Sequence, residues 1–205
     1  GLVGSEMCIR DSYGAMCTPF QESGEGIDIK RYHSHIDDLL EAGVHGLVLC
    51  SGTGEYAYLT DNEKQTLITE GVKHINGRCN TIAQTTALST TECINKARAA
   101  EDAGATAIMV MPPFLEPPSE RGVIYHYEAI AKAVRVPIVM YNVPQQAAPL
   151  SEDTYRKLLA IENLDYMLLV MISYVPIILL CKLEQDCSCL LYTSDAADEE
   201  DSVDL

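Results

Sequence analysis

With 205 residues, 47% of them hydrophobic and 21% charged, the chain has enough material for one domain with a sizeable core. Its formal charge of −16 argues against nucleic acid and anionic membranes as partners, because both need a basic surface. Of its 8 cysteines, Cys8 and Cys189 lie near the ends, and the others show no CxxC pair and no metal-ligand spacing; its 5 histidines are as diffuse, which argues against a disulfide framework and a zinc site.

In chain order, residues 1–12 read as a non-native leader. Codons for residues 7–12 can be chosen whose reverse complement encodes residues 189–194, as read-through of a sequencing adapter would produce, so both ends are set aside from fold reasoning. Between them, short β-branched runs alternate with longer amphipathic stretches, the pattern of repeated βα units. Residues 14–20 form the first predicted strand. Residues 28–42 follow as a helix, with Ile29, Tyr32, Ile36, Leu39 and Leu40 on one face and Gly43 as its stop. On this helix His33 and His35 are two apart and point away from each other.

Residues 46–50 are a near-continuous apolar run, as a strand buried on both faces requires. Two helices then open with capping boxes, Thr60-Asp61-Asn62-Glu63 and Ser89-Thr90-Thr91-Glu92, around a strand at 81–84. Strands are predicted at 107–111 and 137–140, helices at 119–134 and 151–159, and the start of a sixth strand at 164–167. These make five to six βα units in residues 13–167. No glycine-rich dinucleotide fingerprint follows the first strand, so the pattern favours a (β/α)8 barrel, incomplete here, over a doubly wound sheet.

Residues 167–181 are apolar without either period, and Pro176 interrupts a run too short for the roughly 18–20 residues that cross a bilayer. Residues 168–188 are therefore expected to be a frame-slipped segment, and 189–205 a non-native acidic tail. The two ends carry −1 and −6, so residues 13–188 retain −9. That balance, with scattered cysteines read as buried free thiols, fits a soluble cytoplasmic enzyme.

Two motifs fall where predicted strands end, at the end of a parallel sheet where reactive groups gather. Ser51-Gly52-Thr53-Gly54-Glu55 can hold a carboxylate through backbone amides and the Thr53 hydroxyl, with the Glu55 carboxylate bracing the loop. Tyr141-Asn142-Val143-Pro144 sets a phenol at the barrel mouth, where it can relay protons. A structural glycine turn and a plain core tyrosine are the alternatives for each motif taken alone. Occurring together, they read as two walls of one site.

With Thr18-Pro19-Phe20, Leu59-Thr60 and Met111-Pro112-Pro113-Phe114, these motifs make the chain resemble the dihydrodipicolinate synthase and N-acetylneuraminate lyase family of Schiff-base aldolases, from Tyr13 to about Met167. The resemblance implies a (β/α)8 barrel, a homotetramer or homodimer, no cofactor, and lyase chemistry on pyruvate-type 2-oxo acids through an enamine. It also implies that Gly52, Thr53 and Gly54 bind the substrate carboxylate and that Tyr141 is the catalytic proton shuttle. The family's nucleophilic lysine, its amine pKa lowered by burial, aligns with Leu168. No leucine forms an imine, so the chain as written is expected to be inactive, and Lys182 lies fourteen residues further on.

Three departures bear on substrate. Gly52 stands where the synthases usually carry a hydroxyl residue, Phe114 where they carry tyrosine, and Gln146 where they carry an arginine that grips a carboxylate. The Gly-Thr-Gly-Glu form looks closer to sugar-acid dehydratases and 2-oxo-3-deoxy-acid aldolases. Two other classes stay open: a non-catalytic 2-oxo-acid-binding protein, and a phosphate-binding barrel enzyme of another family.

Overall fold

Each βα unit expected from the sequence is found in the computed structural model, which describes residues 12–24, 26–143, 150–164, 166–170 and 178–182. The strands are β1 (Tyr13–Ala15), β2 (Gly46–Leu49), β3 (Asn80–Gln84), β4 (Ala107–Val110), β5 (Ile138–Asn142), β6 (Tyr166–Val170) and β7 (Ile178–Lys182). The helices are α1 (Ile29–Glu41), α2 (Asp61–Ile75), α3 (Thr90–Asp102), α4 (Glu120–Ala131) and α5 (Glu152–Leu159). Strand order follows chain order, and β1 to β6 run parallel. A doubly wound sheet would reverse its order at a switch point; this sheet never does, so it winds one way as a barrel wall.

Strands β2 to β5 are largely buried on both faces, and their alternate residues serve two cores. Leu47, Leu49, Ala83, Ile108, Val110, Ile138 and Met140 pack against the helices in the larger cluster. Val48, Ile82, Ala107, Met109 and Val139 form a second cluster on the opposite face, with Tyr13 and Tyr141 against it. That second face is the lumen of the barrel.

Several boundaries move, each for a local reason. β1 is only three residues long, because the chain leaves the sheet before Thr18 to hydrogen-bond across the mouth. Asp28 lies before α1 rather than inside it, its side chain capping the Arg31 amide at 3.0 Å. At Thr60 the capping box is complete: Thr60 Oγ1 accepts from the Glu63 amide, and Glu63 Oε2 accepts from the Thr60 amide at 2.8 Å. Thr60→Ala is expected to cost about 1 kcal/mol, measured as a fall in urea midpoint; an unchanged midpoint contradicts the cap. The box at Ser89 is half made. Ser89 accepts from the Glu92 amide, but the Glu92 carboxylate is drawn to Lys96 Nζ at 2.9 Å instead of turning back.

His33 and His35 do diverge: the His33 ring stacks on His74 of α2 with centroids 4.1 Å apart. The expectation of buried thiols holds for Cys50 and Cys93, whereas Cys17 is exposed and Cys79 intermediate. After β6 the parallel pattern ends, since β7 pairs antiparallel with it. No helix among the described residues is long and apolar enough to cross a membrane. Most of the adapter-like ends, the stretches 171–177 and 183–188, and Gln146 lie outside the described residues.

Candidate functional site

Where β2 ends, Cys50 adopts φ 57°, a left-handed turn that swings the chain out of the sheet over the mouth. Gly52–Gly54 then wind into a short 3-10 turn, with the Gly54 amide donating to the Ser51 carbonyl at 3.0 Å and the Glu55 amide to the Gly52 carbonyl at 3.1 Å. Glu55 is left-handed as well, at φ 60°, and joins this turn to a second one over Tyr56–Tyr58. Non-glycine residues in that region cost of order 1 kcal/mol each, so surrounding contacts must hold them. Tyr56 supplies one: its amide donates to the Ser51 carbonyl and its hydroxyl to the Thr86 carbonyl, beneath Lys64, whose Nζ lies 4.4 Å from the ring centre.

This geometry redistributes the roles expected from the sequence. Glu55 is exposed and braces the loop through its backbone; among the described residues its carboxylate receives no hydrogen bond. The Gly54 amide is consumed inside the turn. The Gly52 and Thr53 amides have no acceptor among the described residues, as at the start of any helical turn. Gly54 instead serves close approach. A Cβ there would sit 2.8 Å from the Met16 carbonyl oxygen, and Thr18 Oγ1 donates to the Gly54 carbonyl at 2.7 Å. The end of β1 and the β2 loop are thereby clamped together.

Tyr141 packs against the lumen cluster and is half-buried, and that burial raises its phenol pKa. A Cβ at Gly52 would lie 4.0 Å from the Tyr141 hydroxyl. The fold therefore sets the glycine turn next to the phenol. On the next strand Leu168 is the register partner of Tyr141. Lys182 pairs in register with Tyr166, toward the opposite end of β6. Phe114 follows β4 and is partly exposed.

Sequence reasoning passed over three residues here. Cys50 precedes the turn, but burial pushes its thiol pKa up to about 12, which leaves it neutral and unreactive. Ser51 and Gln84 are 6% and 3% exposed, and each keeps a side-chain oxygen without a hydrogen-bond partner, Ser51 Oγ and Gln84 Oε1. The only sequence signal for Gln84 is a polar residue closing the run Ile82-Ala83-Gln84. A separate cleft of about 260 Å³ opens between α2 and α3, floored by β3 and bordered by Asp61, Lys64, Glu92 and Lys96.

Residues 9–166 match the model of the Dihydrodipicolinate synthetase family. A 4-hydroxy-tetrahydrodipicolinate synthase of Azoarcus sp. is 39% identical over 157 residues, which cover 76% of this chain and 53% of that protein. The dihydrodipicolinate synthase of Acinetobacter baumannii, solved with pyruvate, superposes with a TM-score of 0.73 at 35% identity, over 78% of this chain and 55% of that one. A prophage protein of the dihydrodipicolinic acid synthase family from E. coli K12, also solved with pyruvate, gives 0.75 at 26% identity, over 80% and 56%. The chain spans about half the length of the curated relatives it matches.

Proposed function

Since the chain belongs to the dihydrodipicolinate synthetase family, we propose that its site is built for a pyruvate-type 2-oxo acid, and that the whole protein is a lyase acting through a lysine imine. One observation carries this reading: the Gly52–Gly54 turn lies against the Tyr141 hydroxyl, while position 168 is the register partner of Tyr141. Three groups that the reaction needs are thereby assigned to neighbouring places. The Thr53 hydroxyl and the free amides of Gly52 and Thr53 take the carboxylate. Tyr141, a neutral phenol in a partly desolvated setting, passes protons to and from the reacting carbons. A lysine at 168 would attack the oxo carbon and expel water, giving the imine whose enamine makes or breaks the carbon bond.

Leu168 cannot perform that attack, so the chain as written lacks the covalent step. We assign the loss to a reading-frame slip within 168–188, which accords with β7 running antiparallel where a barrel needs a parallel strand. Leu168 also favours a second reading, a non-catalytic 2-oxo-acid-binding protein. Resequencing the source DNA across codons 165–190 separates the two: an undisturbed frame with leucine at 168 favours the binder. The family resemblance further supports a cytoplasmic homotetramer or homodimer as the working form.

Both readings require pyruvate to bind through Thr53. A hydrogen bond to a charged group contributes about 1.5–3 kcal/mol, so Thr53→Val is expected to weaken pyruvate at least about tenfold by calorimetric titration. Equal affinity in parent and variant, or binding of inorganic phosphate in place of pyruvate, would overturn the assignment.

A further inference from the structure

We propose that Gln84 is a specificity-determining residue of this site, its amide oxygen accepting a hydrogen bond from a hydroxyl on the substrate beyond the oxo carbon. The assignment rests on the 2-oxo-acid reading above and deepens it.

Gln84 closes β3, and its neighbours in sequence turn to the helices. Ala83 belongs to the outer cluster, and Thr85, two positions along, follows it in the alternation. Strand alternation then sets the Gln84 side chain on the lumen face, where its register partner Met109 also lies. In a barrel of this type a horizontal layer takes its side chains from alternate strands and climbs one residue per strand. Register leads from Gln84 through Met109 to Val139 on β5, and the two-residue climb brings the layer to Tyr141. Gln84 and Tyr141 therefore share the layer at the mouth, on strands two apart, with roughly 9.6 Å between backbones.

The amide is fixed in orientation. Its Nε2 donates to Thr86 Oγ1 at 2.9 Å, and Thr86 Oγ1 also accepts from the Met111 amide at 3.0 Å. Exchanging the amide oxygen and nitrogen would only leave the nitrogen unpaired instead. Either way one polar atom of a side chain 3% exposed is left without a partner. Such an atom costs about 1–3 kcal/mol unless something satisfies it. Ser51 Oγ, equally unpartnered, lies just past the end of the adjacent strand. Two orphaned polar atoms at neighbouring strand ends, beside the carboxylate turn, point to a ligand that brings its own hydroxyl.

The test compares 2-oxobutanoate with 4-hydroxy-2-oxobutanoate, which differ by one hydroxyl, by calorimetric titration of the full chain. The parent is expected to bind the hydroxylated acid about five- to tenfold more tightly, as one neutral hydrogen bond allows. Gln84→Met, similar in volume but without the amide, is expected to abolish the preference, the loss of affinity falling on the hydroxylated acid. Gln84→Leu serves as the second variant should the first melt early. Parent affinities equal for the two acids, or a preference that survives in either variant, would overturn the proposal and show that water satisfies Gln84. Failure of both acids to bind the parent would remove the 2-oxo-acid reading itself, and this assignment with it.

Discussion

Lowering the pH from 6.5 toward 4 is expected to cost the protein about 3 kcal/mol of stability through His126 alone. His126 lies on α4 and is 1% exposed; Thr90 Oγ1 sits 2.9 Å from its Nδ1, while Nε2 has no partner. Burial holds its pKa down from the ordinary 6.5 to about 4. The unfolded chain therefore binds this proton at a pH where the folded one does not, and stability rises with pH between the two values. The penalty is absent above 6.5, grows as pH falls, and is complete below about 4. His126→Gln is expected to flatten that part of the profile in urea melts taken at successive pH values, leaving only the carboxylate contributions. An identical profile in parent and variant would show that His126 titrates alike in both states.

Gly54→Ala is expected to lower stability by about 1–3 kcal/mol and to abolish pyruvate binding. The added methyl would meet the Met16 carbonyl at 2.8 Å and Thr18 Oγ1 at 3.2 Å. A backbone carbonyl in a strand-end clamp cannot step aside cheaply, so the β2 loop must give way. That movement carries Gly52 and Thr53 away from Tyr141, because all three loop residues share one 3-10 turn. Loss of binding should therefore exceed what the stability change alone predicts, seen by titrating pyruvate well below the melting temperature. A variant that melts and binds like the parent would show the clamp to be slack.

The barrel was legible because each unit carries its own local signals. Val48, Ile82 and Val139 sit in apolar runs, Thr60 and Ser89 cap the following helices, and none of this depends on distant residues. Local signals also explain the errors. The Ser89 box fails because Lys96, one turn along α3, competes for Glu92. The Glu55 carboxylate is turned outward by a left-handed backbone that no residue-type pattern announces. In the site, the nearness of Gly52 and Tyr141 could be argued only from the order of motifs along the chain, and the fold supplies the distance. Gln84 was invisible for a stronger reason. Its meaning depends on register across three strands and on the pairing of Thr86 with Met111, both products of tertiary structure.

The most direct test of a 2-oxo-acid site is covalent. In the Leu168→Lys variant, with pyruvate and borohydride, the new amine should condense with the oxo carbon, lose water, and be fixed as a secondary amine when hydride reduces the imine. Peptide mapping is expected to find the adduct concentrated at residue 168, and none there in the parent. Labelling at 168 no greater than at the exposed Lys73 and Lys132 would contradict it.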